Sequence, residues 1–154
     1  MVPRFQKEIR EHLAFRTELR ALYDQVDSLL SGFTCDSTTE CCRFGVTGRE
    51  PYPTAIEIAE LMNGIGARGG MPKRRLPQVD LERNCPLLSS DGRCTVYAAR
   101  PFGCRTFFCE RVQGEGRIPR KEIAELGRKV ADLSQRFHPR DPGARPLTKV
   151  LTKV

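Results

Sequence analysis

A chain of 154 residues is long enough for one ordinary domain with its own core and too short to expect two. Hydrophobic residues make up 39 % and there is no tryptophan, while 13 glycines and 11 prolines, concentrated between residues 43 and 120, predict a loop-rich middle that needs pinning. The net charge of +7 is dispersed, with Lys73-Arg74-Arg75 as its densest run, so it reads as solvated arginine and argues against nucleic acid as a partner.

No stretch approaches the roughly 20 apolar residues of a membrane span. The N-terminus, MVPRFQKEIREH, is charged throughout and has no apolar stretch of the kind a secretory signal carries. The expected location is the cytoplasm, where thiols stay reduced.

Residues 3–31 read as a long amphipathic helix filling an N-terminal segment, 1–32. Phe5, Ile9, Leu13, Leu19, Leu22, Tyr23, Val26, Leu29 and Leu30 recur mostly at three- and four-residue steps. Pro3 suits a first turn, and Ser31-Gly32 is a stop. Residues 35–53 should be irregular. Thr54-Ala55-Ile56-Glu57 then spells a capping box for a short helix ending at Gly64. The glycine-rich stretch 63–72 is expected to be a loop. It lacks the Gly-Lys-Ser/Thr of a phosphate loop, and its Gly-x-Gly-x-x-Gly follows a helix rather than a strand.

Residues 75–82 and Thr95-Val96-Tyr97 are expected to be short strands. The turn Ser89-Ser90-Asp91-Gly92 would join them into a hairpin that brings Cys85 and Cys94 together. A last helix is expected from Pro119 to Phe137, in a segment 118–138 that His138-Pro139 closes. The tail 139–154 ends in LTKV twice, and its pattern leaves an edge strand and an unstructured end equally open. EIAEL occurs at 57–61 and again at 122–126, too little to argue duplication. The expected fold class is α+β: a small, mainly helical single domain (1–154) with an irregular Cys-rich core at 35–109 and a short β-hairpin.

The chemistry lies in seven cysteines, which form two clusters. Cys35, Cys41 and Cys42 make the first; Cys85, Cys94, Cys104 and Cys109 make the second. An odd count in a chain expected to be cytoplasmic favours metal ligation over disulfides. Thiolates are soft donors that suit zinc and iron–sulfur centres alike. Cys85 precedes Pro86, Cys94 follows Asp91-Gly92-Arg93, and Cys104 follows Pro101-Phe102-Gly103. Each is a turn-like place from which a side chain can point at a metal. Cys41-Cys42 is unusual, because neighbouring side chains diverge in an extended chain. One ligates while the other packs, the two serve different metal atoms, or a turn directs both inward. The spacing is neither that of common zinc fingers nor the bacterial ferredoxin run.

The segment CDSTTECC (35–42), followed by CPLLSSDGRCTVYAARPFGCRTFFC (85–109), closely resembles the YkgJ-like cysteine-cluster family of bacterial proteins, described as a zinc- or iron-chelating domain and often labelled iron–sulfur-containing. The shared residues are Cys35, Cys41 and Cys42, then Cys85-Pro86-x-Leu88, Cys94-x-Val96-Tyr97, Arg100-Pro101, Cys104-Arg105 and Phe107. Thr38 stands where the family often has another cysteine, and Cys109 matches a less regular position. The resemblance implies metal binding and no settled reaction.

Candidate metal ligands are therefore Cys35, Cys41, Cys42, Cys85, Cys94, Cys104 and Cys109, holding zinc or an iron–sulfur cluster. Arg100 and Arg105 flank Cys104 and read first as salt bridges holding the turn, with donation to sulfur or to an anionic substrate as the sharper role. Tyr97, Phe102, Phe107 and Phe108 are expected to pack around the site. His12, His138 and Glu40 are weaker ligand candidates. No nucleophile–base pairing is visible, so catalytic residues are not assigned. Three functions stay open: a zinc or iron–sulfur protein with a structural or redox role, with a protein partner as one option; an iron-dependent redox enzyme using spare thiols or an open coordination position; and a metal-stabilised nucleic-acid-binding module.

Overall fold

The computed structural model describes residues 2–34, 40–73, 83–107, 113–114 and 117–153. Helices dominate them. The order is α1 (Val2–Leu29), β1 (Phe33–Thr34), a 3₁₀ turn (Glu40–Cys42), α2 (Phe44–Thr47), α3 (Ala55–Ala67), a second 3₁₀ turn (Tyr97–Ala99), α4 (Phe102–Arg105), β2 (Gln113–Gly114), α5 (Arg120–Phe137) and α6 (Leu147–Leu151).

The two long helices follow their apolar periodicity. Leu19, Leu22, Tyr23 and Val26 of α1 are buried at i, i+3, i+4 and i+7. They meet Leu126, Val130 and Leu133 of α5 and Ile56 of α3. Burying such side chains stabilises the packed state by about 1.5–3 kcal/mol each. Ser134, fully buried on α5, ties this layer to α3: it accepts the Ile56 N–H (3.3 Å) and donates to the carbonyl of Pro142 (2.9 Å).

Helix α3 has two working faces. Ile56 belongs to the α1–α5 layer, while Leu61 and Ile65 enter a second apolar cluster with Phe44, Cys85, Leu87, Val96 and Ala99. The last helix closes that second cluster. Leu147 and Leu151, the first residues of the two LTKV copies, lie one turn apart and are both buried. Glu50 fixes α6 by accepting the Thr148 N–H (3.1 Å) and hydroxyl (2.8 Å). The tail thus contributes a short helix whose two leucines join the core.

The expected α+β class is overturned, because the described residues are mainly helical and contain no β-hairpin. The Ser89–Gly92 turn does form, with the Gly92 N–H donating to Ser89 (3.0 Å) and Gly92 at φ +79°. Across it runs a single antiparallel bridge, Leu88–Cys94, instead of a ladder. One flank turns again at once, the Leu88 N–H donating to Cys85 (3.1 Å), and the other coils into the Tyr97–Ala99 3₁₀ turn. The expected strand at 75–82 lies outside the described residues. The strand pairing present joins distant segments: Phe33 with Gly114 and Thr34 with Gln113. Helix α3 also runs past its expected stop at Gly64 to Ala67.

Candidate metal centre

Three stretches of chain deliver five thiols. Cys41 and Cys42 lie on the Glu40–Cys42 3₁₀ turn, whose tight winding overcomes the divergence expected of neighbours and sets their sulfurs 4.0 Å apart. Two thiolates on one tetrahedral zinc, each at about 2.3 Å, stand about 3.8 Å apart. The pair therefore has the spacing of one edge of such a site.

The second stretch is sewn to the first. The Arg43–Asn84 bridge joins the two strands of chain, and the Cys85 N–H donates to the Cys42 carbonyl at 2.6 Å. Cys42, Cys85 and Cys94 all pack in the second apolar cluster, beside Phe44, Leu87 and Val96. Cys104 arrives on the third. Arg100 is extended, as a residue before proline prefers, and Pro101 starts α4, where the Cys104 N–H donates to the Pro101 carbonyl (2.9 Å).

Cys41 acts electrostatically on Cys42, Cys94 and Cys104, and Cys85 acts on Cys42 and Cys104. Donation from the Cys42 thiol lowers Cys41 to about 7, and the Arg100 charge helps. Its thiol bond to Cys41 drives Cys42 well above the ordinary thiol range, and burial, Cys41, Cys85 and Cys104 push the same way. Burial is the main cause that raises Cys94 and Cys104; Cys41 adds to both, and Cys85 and Cys94 add to Cys104. A bound metal would let such thiols deprotonate.

Arg100 supplies a second mark of fit. Its guanidinium lies 3.8 Å over the Tyr97 ring and 3.9 Å from Asp27, and its charge acts on Cys41, Cys94 and Cys104. Yet its Nε is buried with no hydrogen-bond partner among the described residues. A buried donor without an acceptor is costly, and thiolate sulfur is the acceptor chemistry at hand. Among the described residues, no three side chains of His, Cys, Asp or Glu converge as a finished coordination group. Donor type, the Cys41–Cys42 spacing and the orphaned Arg100 Nε fit a soft metal, and closing the set requires side-chain adjustment.

Cys35 and Cys109 lie outside the described residues, as do Thr38 and Phe108. The chain enters the stretch holding Cys35 from β1, which is paired to β2. None of the five described cysteines is in a disulfide. His12 meets the edge of Phe137 at a centroid distance of 4.9 Å, and His138 Nδ1, at the C-cap of α5, accepts the Asp141 N–H (3.1 Å), so both histidines are engaged. Arg105 takes the bracing role. It donates to Asp27 (2.6 Å) and to the carbonyls of Arg100 (3.0 Å) and Ala98, and it lies 4.0 Å over the Tyr23 ring. Tyr97, 63 % exposed, serves as a platform for Arg100.

Sequence reasoning missed Glu57 as a hub. Its capping box was legible, and both halves are present. Nothing in the pattern showed that the same carboxylate, 2 % exposed, also accepts from Tyr23 and from the backbone of α4.

Thiols gathered in this way within a helical frame define the class of soft-metal chelators. The family model described as "CxxCxxCC: Putative zinc- or iron-chelating domain" matches residues 34–125, and the chain belongs to that family. No curated protein and no solved structure matches it.

Proposed function

We propose that this protein is a cytoplasmic, single-domain carrier of a thiolate-bound soft-metal centre, zinc or an iron–sulfur cluster, held by Cys41, Cys42, Cys85, Cys94 and Cys104 with Cys35 and Cys109. The observation that carries it is the Cys41–Cys42 pair, with its sulfurs 4.0 Å apart and the Cys42 carbonyl accepting the Cys85 N–H, to which Cys94 and Cys104 add for five thiols from three separate stretches. Five exceed the four thiolates of one tetrahedral site, which supports more than one metal atom or a thiol in reserve. The metal would pin the loops between α2 and α4, and Arg100 would donate to a ligand sulfur.

A redox enzyme is the second reading, favoured by one specific feature. Cys41 and Cys104 line an open cleft, whereas Cys42, Cys85 and Cys94 pack into the core. A centre at this place would be dry on one side and approachable on the other.

Anaerobic purification with elemental analysis and a visible spectrum tests both. Stoichiometric zinc without visible absorbance leaves the structural role and removes the redox one. A brown, oxygen-sensitive protein with iron and sulfide supports the cluster. A protein that carries no metal and stays folded in chelator overturns the proposal.

A further inference from the structure

Beside the thiols lies a cleft of about 650 Å³, within the roughly 300–1,000 Å³ usual for small-molecule sites. Its half-buried part includes Cys41, Cys104, Phe102 and Phe107, and its exposed lining includes Arg49, Tyr52 and Arg120. Aromatic rings give an organic body somewhere to lie.

The charges of the lining are unevenly committed. Glu57 is saturated by donors from Tyr23, Thr54 and Phe102. Glu50 is held by Thr148 and by Arg83 at 3.9 Å. Neither carboxylate is available to Arg49 or Arg120, and neither of those guanidiniums has an ion-pair partner among the described residues. Two uncommitted cations and three aromatic rings in one lining suit an acid group attached to an apolar body. Arginine is the side chain best shaped to hold a carboxylate or phosphate.

We propose that this cleft binds a small organic anion, an aromatic or apolar carboxylate or phosphate. Its acid group pairs with Arg49 and Arg120, and its body lies on Phe102, Phe107 and Tyr52 beside Cys41 and Cys104. Binding itself needs only the arginines and the rings. That the ligand lies next to a metal rests on the metal-centre proposal above.

The test is calorimetric titration of the metal-loaded protein with benzoate, phenyl phosphate and the neutral benzyl alcohol, with metal content measured on each preparation. Saturable binding of either anion, absent for benzyl alcohol and at least about tenfold weaker in R49Q/R120Q, supports the site; which anion binds tells carboxylate from phosphate. R128Q, an exposed cation of α5 outside the cleft lining, should bind as wild type does. Failure of both anions, or equal binding by wild type and R49Q/R120Q, overturns it. Anion binding by a protein that cannot be loaded with metal keeps the cleft and overturns the metal centre. A metal-loaded protein that binds neither anion does the reverse.

Discussion

Glu57 accepts the backbone N–H of Phe102 at 2.6 Å, so a carboxylate in the first turn of α3 holds the start of the helix that carries Cys104. The same side chain accepts from Tyr23 (3.1 Å) and from the Thr54 N–H (2.8 Å) and hydroxyl (2.9 Å). Glu57→Ala would strand all these donors in a buried place. The expected loss is about 3 kcal/mol of unfolding free energy, read by urea denaturation. Glu57→Gln keeps the shape but turns donors toward donors, and should lose part of that amount. Equal midpoints for Glu57→Ala and wild type would refute the hub.

Tyr23 adds a pH signature to the same hub. Burial first, then the Glu57 charge, raises its phenol well above 10.0. A raised folded-state value means that the stabilisation is complete below the unfolded tyrosine range and is lost as pH climbs through the folded one. Near neutral pH, wild type should be about 1 kcal/mol more stable than Tyr23→Phe, through the hydrogen bond to Glu57. Above about pH 10 that advantage should shrink by about 1.4 kcal/mol per pH unit as the unfolded chain ionises. Denaturation midpoints of both proteins from pH 7 to 11 check the sign. A gap that widens with pH contradicts it.

What the sequence made legible were the strongly periodic parts and the family's cysteine-rich segment. The apolar steps of α1 and α5 and the Thr54–Glu57 capping box each follow from local spacing, and all appear. Cys41 and Cys42 were read with three alternatives, and the 3₁₀ turn that holds their sulfurs 4.0 Å apart depends on backbone winding that residue types do not encode. The expected hairpin had a real turn, but its first strand, 75–82, lies outside the described residues and the chain beside the turn packs into the core. Leu87 and Val96 are buried against α3 and α6 instead of facing each other in a ladder. The tail was unreadable locally, because Leu147 and Leu151 become a helix face only when the core accepts them.

Gly64 marks where α3 comes closest to the Tyr97–Ala99 turn that leads into the Arg100–Cys104 stretch. A Cβ there would stand 2.8 Å from the Ala99 Cβ, whereas one on Gly66, two residues on in the same helix, meets nothing within 4 Å. Gly64→Ala should cost about 1–3 kcal/mol through overpacking, in spite of alanine's better helix propensity. Gly66→Ala should stabilise by about 0.5–1 kcal/mol. Thermal melts of the two variants should move in opposite directions. A shift of the same sign in both would show that Gly64 is not a packing glycine.

Arg100 separates a tuning role from a bracing one. Its neighbour Arg105 is saturated by Asp27, two carbonyls and the Tyr23 ring, so Arg105→Lys should reduce stability and leave the properties of the metal centre close to wild type. Arg100 instead keeps a buried Nε without a hydrogen-bond partner among the described residues, and its charge acts on Cys41, Cys94 and Cys104. Arg100→Gln removes both the charge and that donor. It should lower metal affinity by about 10–100-fold, measured by competition with a chromophoric chelator. Arg100→Lys restores the charge without the Nε donor and should recover only part of the loss. A cobalt-substituted protein provides the readout that folding alone does not move. Its sulfur-to-metal charge-transfer bands should shift in Arg100→Gln and stay in place in Arg105→Lys. Identical bands and affinity in Arg100→Gln and wild type would show that its Nε does not serve a ligand sulfur.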